Sequence, residues 1–183
     1  MTWTTNEIET DAAVEAVEET PNLEFFEYFK DKDIKTVLKI GAFQGKNTEM
    51  VMEHINPETL YVVEDWKTIP REVLYEADMP YIEQQFEFKT AKYKSVKILK
   101  DGLDKVLDKV VENNSVDLVI IKETDKDALK SIIKKVKSKV KKPGYITGIG
   151  WGSKNVVFAC LETIGDVDEY YSDVNSKWIK VIK

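Results

Sequence analysis

The sequence predicts an α/β domain with a mostly parallel sheet and helices on both faces. Three observations carry that. Short β-branched runs alternate with amphipathic stretches along most of the chain, which is the pattern of strands joined by helical crossovers. The stretch Thr36-Val37-Leu38-Lys39-Ile40-Gly41-Ala42-Phe43-Gln44-Gly45-Lys46-Asn47-Thr48 reads as a strand, a glycine turn and a helix start. The chain ends on two strand-like runs joined by a short polar link, which predicts an antiparallel hairpin.

Composition narrows the class. The 183 residues suit one domain with a sizeable core, and no internal repeat or linker interrupts them. The formal net charge of −6 argues against general binding to nucleic acid or to an anionic membrane. The single cysteine, Cys160, excludes an intramolecular disulfide and a cysteine zinc cluster; its apolar surroundings predict a buried structural thiol. No apolar run reaches membrane-spanning length, and the acidic N-terminus does not resemble a secretory signal. A cytoplasmic protein, or one assembled from the cytoplasm into a larger particle, is expected.

Residues 1–20 hold six acids and no basic residue and read as a solvated acidic arm, with a partner-docking role as the alternative. Residues 21–183 read as the single domain. Pro21-Asn22 opens a short helix whose Leu23, Phe25, Phe26 and Phe29 mostly share a buried face. The first strand is Thr36–Ile40, and a helix over Asn47–His54 follows, with Asn47 or Thr48 as its cap. Asn56-Pro57 stops that helix. The second strand, Thr59–Val63, runs into Glu64-Asp65-Trp66. The insertion over 67–94 holds a helix near Pro80–Ala91, where Tyr81, Ile82, Phe86 and Phe88 need cover.

Ser95–Leu99 is the third strand. Asp101-Gly102 turns it into a helix with Leu103, Val106, Leu107 and Val110 on one stripe. Val116–Ile121 is the most apolar strand and is predicted to be central. Thr124 to Asp127 has capping-box spacing for a helix that turns Leu129, Ile132, Ile133, Val136 and Val140 inward. The lysines at 130, 134, 135, 137, 139, 141 and 142 read as its solvated face and C-terminal end. A strand over Tyr145–Ile149, a helix over Asn155–Ile164 and strands at Val167–Tyr171 and Trp178–Ile182 complete seven strands. Trp3, Trp66, Trp151, Tyr170 and Tyr171 are scattered aromatics, read as core before partner surface.

A strand ending on glycine lets a ligand approach the backbone, and the free N–H groups of the next helix start point at it. That shape suits a nucleotide-type cofactor in an open α/β sheet. It is not a phosphate loop: Gly41 and Gly45 are separated by three residues, not four, and Asn47 follows Lys46 where Ser or Thr is needed. The G-x-G-x-x-G of nicotinamide-binding domains is also missing.

Four stretches in order resemble the class I S-adenosylmethionine-dependent methyltransferases, and within that Rossmann-like fold a small-molecule and sugar methyltransferase group. They are Val37 to Asn47, Val62-Val63-Glu64-Asp65-Trp66, Asp117 to Asp125, and Pro143 to Trp151. The resemblance covers about residues 22–183. It implies S-adenosylmethionine as cofactor, with Gly41, Ala42, Gln44 and Gly45 along its methionine portion. Glu64 or Asp65 would bind the ribose hydroxyls, and Asp101 and Gly102 would lie near the adenine.

The chain departs from that group at its chemistry. Lys39 replaces an acid in the first strand, where a cation repels the cofactor's positive charges unless neutralised or turned away. Lys122 replaces the aspartate after strand four, Ile149-Gly150 replaces a His-Asp pair, and the only histidine, His54, lies elsewhere. No catalytic residue is assigned and no metal is expected. Two readings stay open. One is a methyltransferase acting on a small molecule or sugar. The other is a catalytically silent relative serving as a binding or structural subunit, with protein partners in an assembly.

Overall fold

The computed structural model describes residues 23–67, 79–171 and 176–183. The acidic arm, most of the residues before the helix near Pro80, and most of the link before the last strand lie outside them. Among the described residues, seven strands form one sheet in the order β3-β2-β1-β4-β5-β7-β6. They are β1 (Thr36–Ile40), β2 (Thr59–Val63), β3 (Val96–Leu99), β4 (Val116–Ile121), β5 (Val140–Gly148), β6 (Glu169–Tyr170) and β7 (Trp178–Ile182). The first five run parallel, and β7 pairs antiparallel with both β5 and β6. β4 is the middle strand and every residue in it is buried.

Among the described residues six helices cover the sheet: α1 (Leu23–Glu27), α2 (Lys46–His54), α3 (Met79–Thr90), α4 (Leu103–Val110), α5 (Lys126–Val136) and α6 (Lys154–Thr163). Strand alternation divides the core in two. Val37, Leu60, Val62, Leu118 and Ile120 pack with α1, α2 and α3. Leu38, Ile40, Val63, Val119 and Ile121 pack with α4, α5 and α6. Successive residues of β1 therefore serve opposite layers, as a period of two requires.

Several local expectations are corrected. Neither Asn47 nor Thr48 caps α2. The Gly45 N–H closes a turn onto the Ala42 carbonyl, so the helix starts at Lys46 with Gly45 before it at φ 89°. At α5 the cap is Asp125 rather than Thr124: Asp125 accepts from the N–H groups of Asp127 and Ala128. On α3, Ile82 and Phe86 are buried, but Tyr81 and Phe88 lie on the outward face and are 60% and 82% exposed. Val110, in the last turn of α4, is exposed as well.

Val140 opens β5 instead of extending α5, because the register slips between Val116 and Leu118 and lets Lys141 to Pro143 arch out before Gly144 pairs with Ile182. That arch accommodates Pro143, which has no N–H for a ladder. Asp117, opposite it, accepts from the N–H groups of Lys35 and Thr36 at 3.0 and 2.8 Å and pairs with Lys141 at 2.7 Å. The strand expected over Val167–Tyr171 is only Glu169–Tyr170, both exposed.

The lysine run is not a uniform solvated face. Lys139 is buried and reaches Asp108 at 2.8 Å. Lys135 pairs with Asp104, and Lys126 and Lys130 both pair with Glu162 on α6. The lysines thus tie α5 to its neighbours. Cys160 is buried as expected, and burial pushes its thiol up to about 12. Among the described residues no helix is long and apolar enough to cross a membrane.

Candidate functional site

The strand order reverses between β1 and β4, which leave the sheet side by side while their crossovers diverge to opposite faces. In open α/β sheets such a switch point opens a crevice at the carboxyl ends of the strands. A cavity of about 520 Å³ occupies it here, within the size range of small-molecule sites.

Its floor is the turn after β1. Gly41 donates its N–H to the Val63 carbonyl at 3.1 Å, and Lys122 donates its own to the Ile40 carbonyl at 2.9 Å. Gly41 has φ 83°, and a Cβ there would stand 3.1 Å from the Cβ of Lys122 and 3.2 Å from its carbonyl oxygen. Both conformation and crowding require glycine at this position. Gly41, Ala42 and Phe43 all line the cavity.

Glu64, just past β2, braces this turn from the side. One carboxylate oxygen accepts from the N–H groups of Ala42 and Phe43 at 2.9 and 3.4 Å; the other accepts from those of Asp65 and Trp66 at 3.2 and 3.4 Å. Trp66, buried, donates its indole N–H to the Phe43 carbonyl at 3.3 Å and packs against Phe86. Glu64-Asp65-Trp66 is therefore a clasp on the glycine turn as well as part of the cavity wall. Asp65 lines the cavity, and its Oδ1 accepts from the Lys67 N–H.

The wall after β3 is Asp101, Gly102 and Leu103. The Gly102 N–H, and then the ammonium of Lys105, hold the Asp101 carboxyl below its ordinary range. The wall after β4 is Lys122 to Asp125, with one Glu123 oxygen accepting from the N–H groups of Thr124 and Asp125 at 2.7 Å each. Ile132 and Ile149 add apolar surface. Among the described residues, the lining carries five carboxylates, of Glu64, Asp65, Asp101, Glu123 and Asp125, against the one ammonium of Lys122.

Six of the eight residues singled out in the sequence meet here: Gly41, Ala42, Glu64, Asp65, Asp101 and Gly102. Gln44 and Gly45 are outside the lining. Gly45 faces α3 instead, where an added Cβ would stand 3.0 Å from the Phe86 ring. The sequence reading missed Phe43, Leu103, Thr124 and Ile132 as lining residues. Phe43 and Leu103 adjoin chosen residues, so adjacency was the available signal; Ile132, on α5, had none.

Lys39 is turned away from the cavity. Its side chain is 1% exposed, lies on the same side of β1 as Val37, and donates to the Gly41 carbonyl from beneath. His54 is exposed at the end of α2, stacked on Phe26, far in the fold from the strand ends that form the cavity. Among the described residues no group of three or more His, Cys, Asp or Glu is arranged to hold a metal ion.

Solved structures with the same arrangement place the fold. Spermidine synthase from Thermotoga maritima superposes with a TM-score of 0.60 at 17% identity, over 85% of this chain and 56% of that one. The N-methyltransferase NodS from Bradyrhizobium japonicum gives 0.60 at 12% identity, over 86% and 92%. The Methanococcus jannaschii fibrillarin pre-rRNA processing protein gives 0.60 at 15% identity, over 81% and 66%. The fold is that of the class I methyltransferases. At these identities the likeness is one of fold, and the chain spans little more than half of the spermidine synthase chain. No family model matches the sequence, and no curated protein matches it.

Proposed function

We propose that the cavity binds S-adenosylmethionine and that the chain is a methyltransferase-like protein acting on a small molecule or sugar. The observation that carries this is the acidic cavity at the β1/β4 switch point, floored by a turn that only Gly41 permits. A sulfonium cofactor is cationic, and five surrounding carboxylates favour it electrostatically. The donor set fits its parts. Gly41 and Ala42 leave room for close approach of the amino-acid portion. Asp65 lines the cavity just past β2, where a carboxylate suits ribose hydroxyls, and Asp101-Gly102 with Leu103 offers a polar edge and an apolar face for a base. Glu64, expected to share the ribose role, is held by four backbone N–H groups, so Asp65 is the better candidate. Bound there, the cofactor would supply an electrophilic methyl group. The protein's part is to hold it against an acceptor, since orientation alone lowers the barrier of a bimolecular transfer.

Calorimetric titration with S-adenosylmethionine and S-adenosylhomocysteine tests the reading. The expected result is micromolar binding, lost in Gly41→Val and weakened about tenfold in Asp65→Ala. A folded protein that binds neither ligand at millimolar concentration sinks the proposal. A second reading, a silent binding or structural subunit, is favoured by the cavity's lack of a histidine and by the diversion of Glu64 to bracing the backbone. It predicts cofactor binding with no conversion to S-adenosylhomocysteine across a panel of sugars and metabolites, read by mass spectrometry.

A further inference from the structure

Among the described residues, Lys122 is the single basic residue on a cavity wall that otherwise carries five acids, and it forms an ion pair with none of them. Its ammonium rests 5.1 Å above the centre of the Phe43 ring, and the side chain is exposed. The acids around it are engaged elsewhere. Glu123 bonds two backbone N–H groups, Asp125 caps α5, and Asp101 holds the Gly102 N–H and Lys105. An exposed cation over a phenyl ring is weakly held. A lysine in that state is available to an incoming anion.

Its place in the cavity says which anion. The Lys122 backbone and Cβ touch Gly41, across the floor from the Asp101-Gly102 wall. A ligand with its nucleoside toward Asp65 and Asp101 brings its amino-acid end to Gly41. That end carries a sulfonium, an ammonium and a carboxylate. The five acids attract the first two and repel the third. Resting on the proposal that this is an S-adenosylmethionine site, we infer that Lys122 recognises the cofactor's carboxylate. It thereby selects ligands with the complete amino-acid end over those with only the nucleoside. A charge-assisted contact of this kind is among the stronger hydrogen bonds a surface lysine makes. Lys122 acts in this scheme as a specificity residue for the cofactor, with no part in bond making.

The test uses the full chain, wild type and Lys122→Met, titrated calorimetrically with S-adenosylhomocysteine and with 5′-methylthioadenosine. The second ligand has the same nucleoside but no ammonium or carboxylate. Lys122→Met should weaken S-adenosylhomocysteine about tenfold and change methylthioadenosine by less than about twofold. Lys122→Arg should keep most of the affinity, because it keeps the charge. Equal losses for both ligands would mean that the side chain only shapes the cavity, and would overturn the inference. So would no loss for either. If the wild type binds neither ligand, the site reading fails along with it. If it binds both and only the tenfold difference is missing, the site reading stands and the role of Lys122 falls.

Discussion

Lys39 is buried one residue before the end of β1, while Lys122 is exposed one residue past the end of β4. Both stand where the resembling methyltransferases carry an acid, and both adjoin Gly41. Lys39 approaches from below and gives a hydrogen bond to the Gly41 carbonyl. Lys122 packs its Cβ beside Gly41 from across the strand pair and leaves its ammonium in the cavity. The parity of the strand decides the difference. Lys39 shares the face of Val37, which belongs to the α1, α2 and α3 layer, so its charge never reaches the ligand space. Two substitutions of the same kind in the same corner thus have different consequences: one alters the scaffold of the turn, the other the electrostatics of the cavity.

Stability measurements can break this comparison most directly. Lys39→Ala empties a fully buried site and removes a donor from the Gly41 carbonyl; it should cost about 3 kcal/mol in urea unfolding. Lys122→Ala, at an exposed side chain, should stay within about 0.5 kcal/mol of wild type. Similar losses for the two would erase the distinction between scaffold and cavity.

Glu64 extends the comparison to the third side of the turn. Glu64→Ala strips the acceptor from the buried Ala42 N–H and its neighbours and should cost about 1–2 kcal/mol. Glu64→Gln, which keeps an acceptor oxygen, should cost less. If the two variants unfold at the same urea concentration, the carboxylate is not what braces the turn.

The smallest effect lies between α5 and α6, where the lysines of α5 are matched by acids. Hydrogen bonds from Lys126 and then Lys130 hold the Glu162 carboxyl down to about 2, against an ordinary 4.5. A carboxyl depressed in the folded state stabilises above its unfolded value and loses that contribution as pH falls through its folded value. The α5–α6 clasp should therefore be fully present above about pH 4.5 and vanish toward pH 2. All three side chains are partly exposed, so the effect is small and screened by salt. Acid titration of Glu162→Gln, followed by circular dichroism, should show a slightly shallower loss of stability between those limits. An unchanged acid profile would remove the clasp from the account.

Much of the fold was legible in the chain itself. The parallel order of strands, the centrality of Val116–Ile121, the terminal hairpin and the buried Cys160 follow from apolar periodicity and turn residues, which are local properties. Six of eight proposed site residues fell on the cavity because strand ends in such a sheet converge on one edge. Gln44 and Gly45 lie outside the lining; the turn closes at Ala42 to Gly45 and sets Gly45 against Phe86 of α3.

What only the tertiary structure decided is direction and partnership. The sequence established that two lysines replace acids, but their roles depend on which face each side chain leaves by and what waits there. Glu64 read as a ligand for hydroxyls; the fold brings four backbone N–H groups to it first. The lysine run read as solvated; the fold sets Asp104, Asp108 and Glu162 against Lys135, Lys139 and Lys130. Periodicity is written between neighbours in sequence. A charge acquires its role from groups distant in the chain, and only the packed structure brings those together.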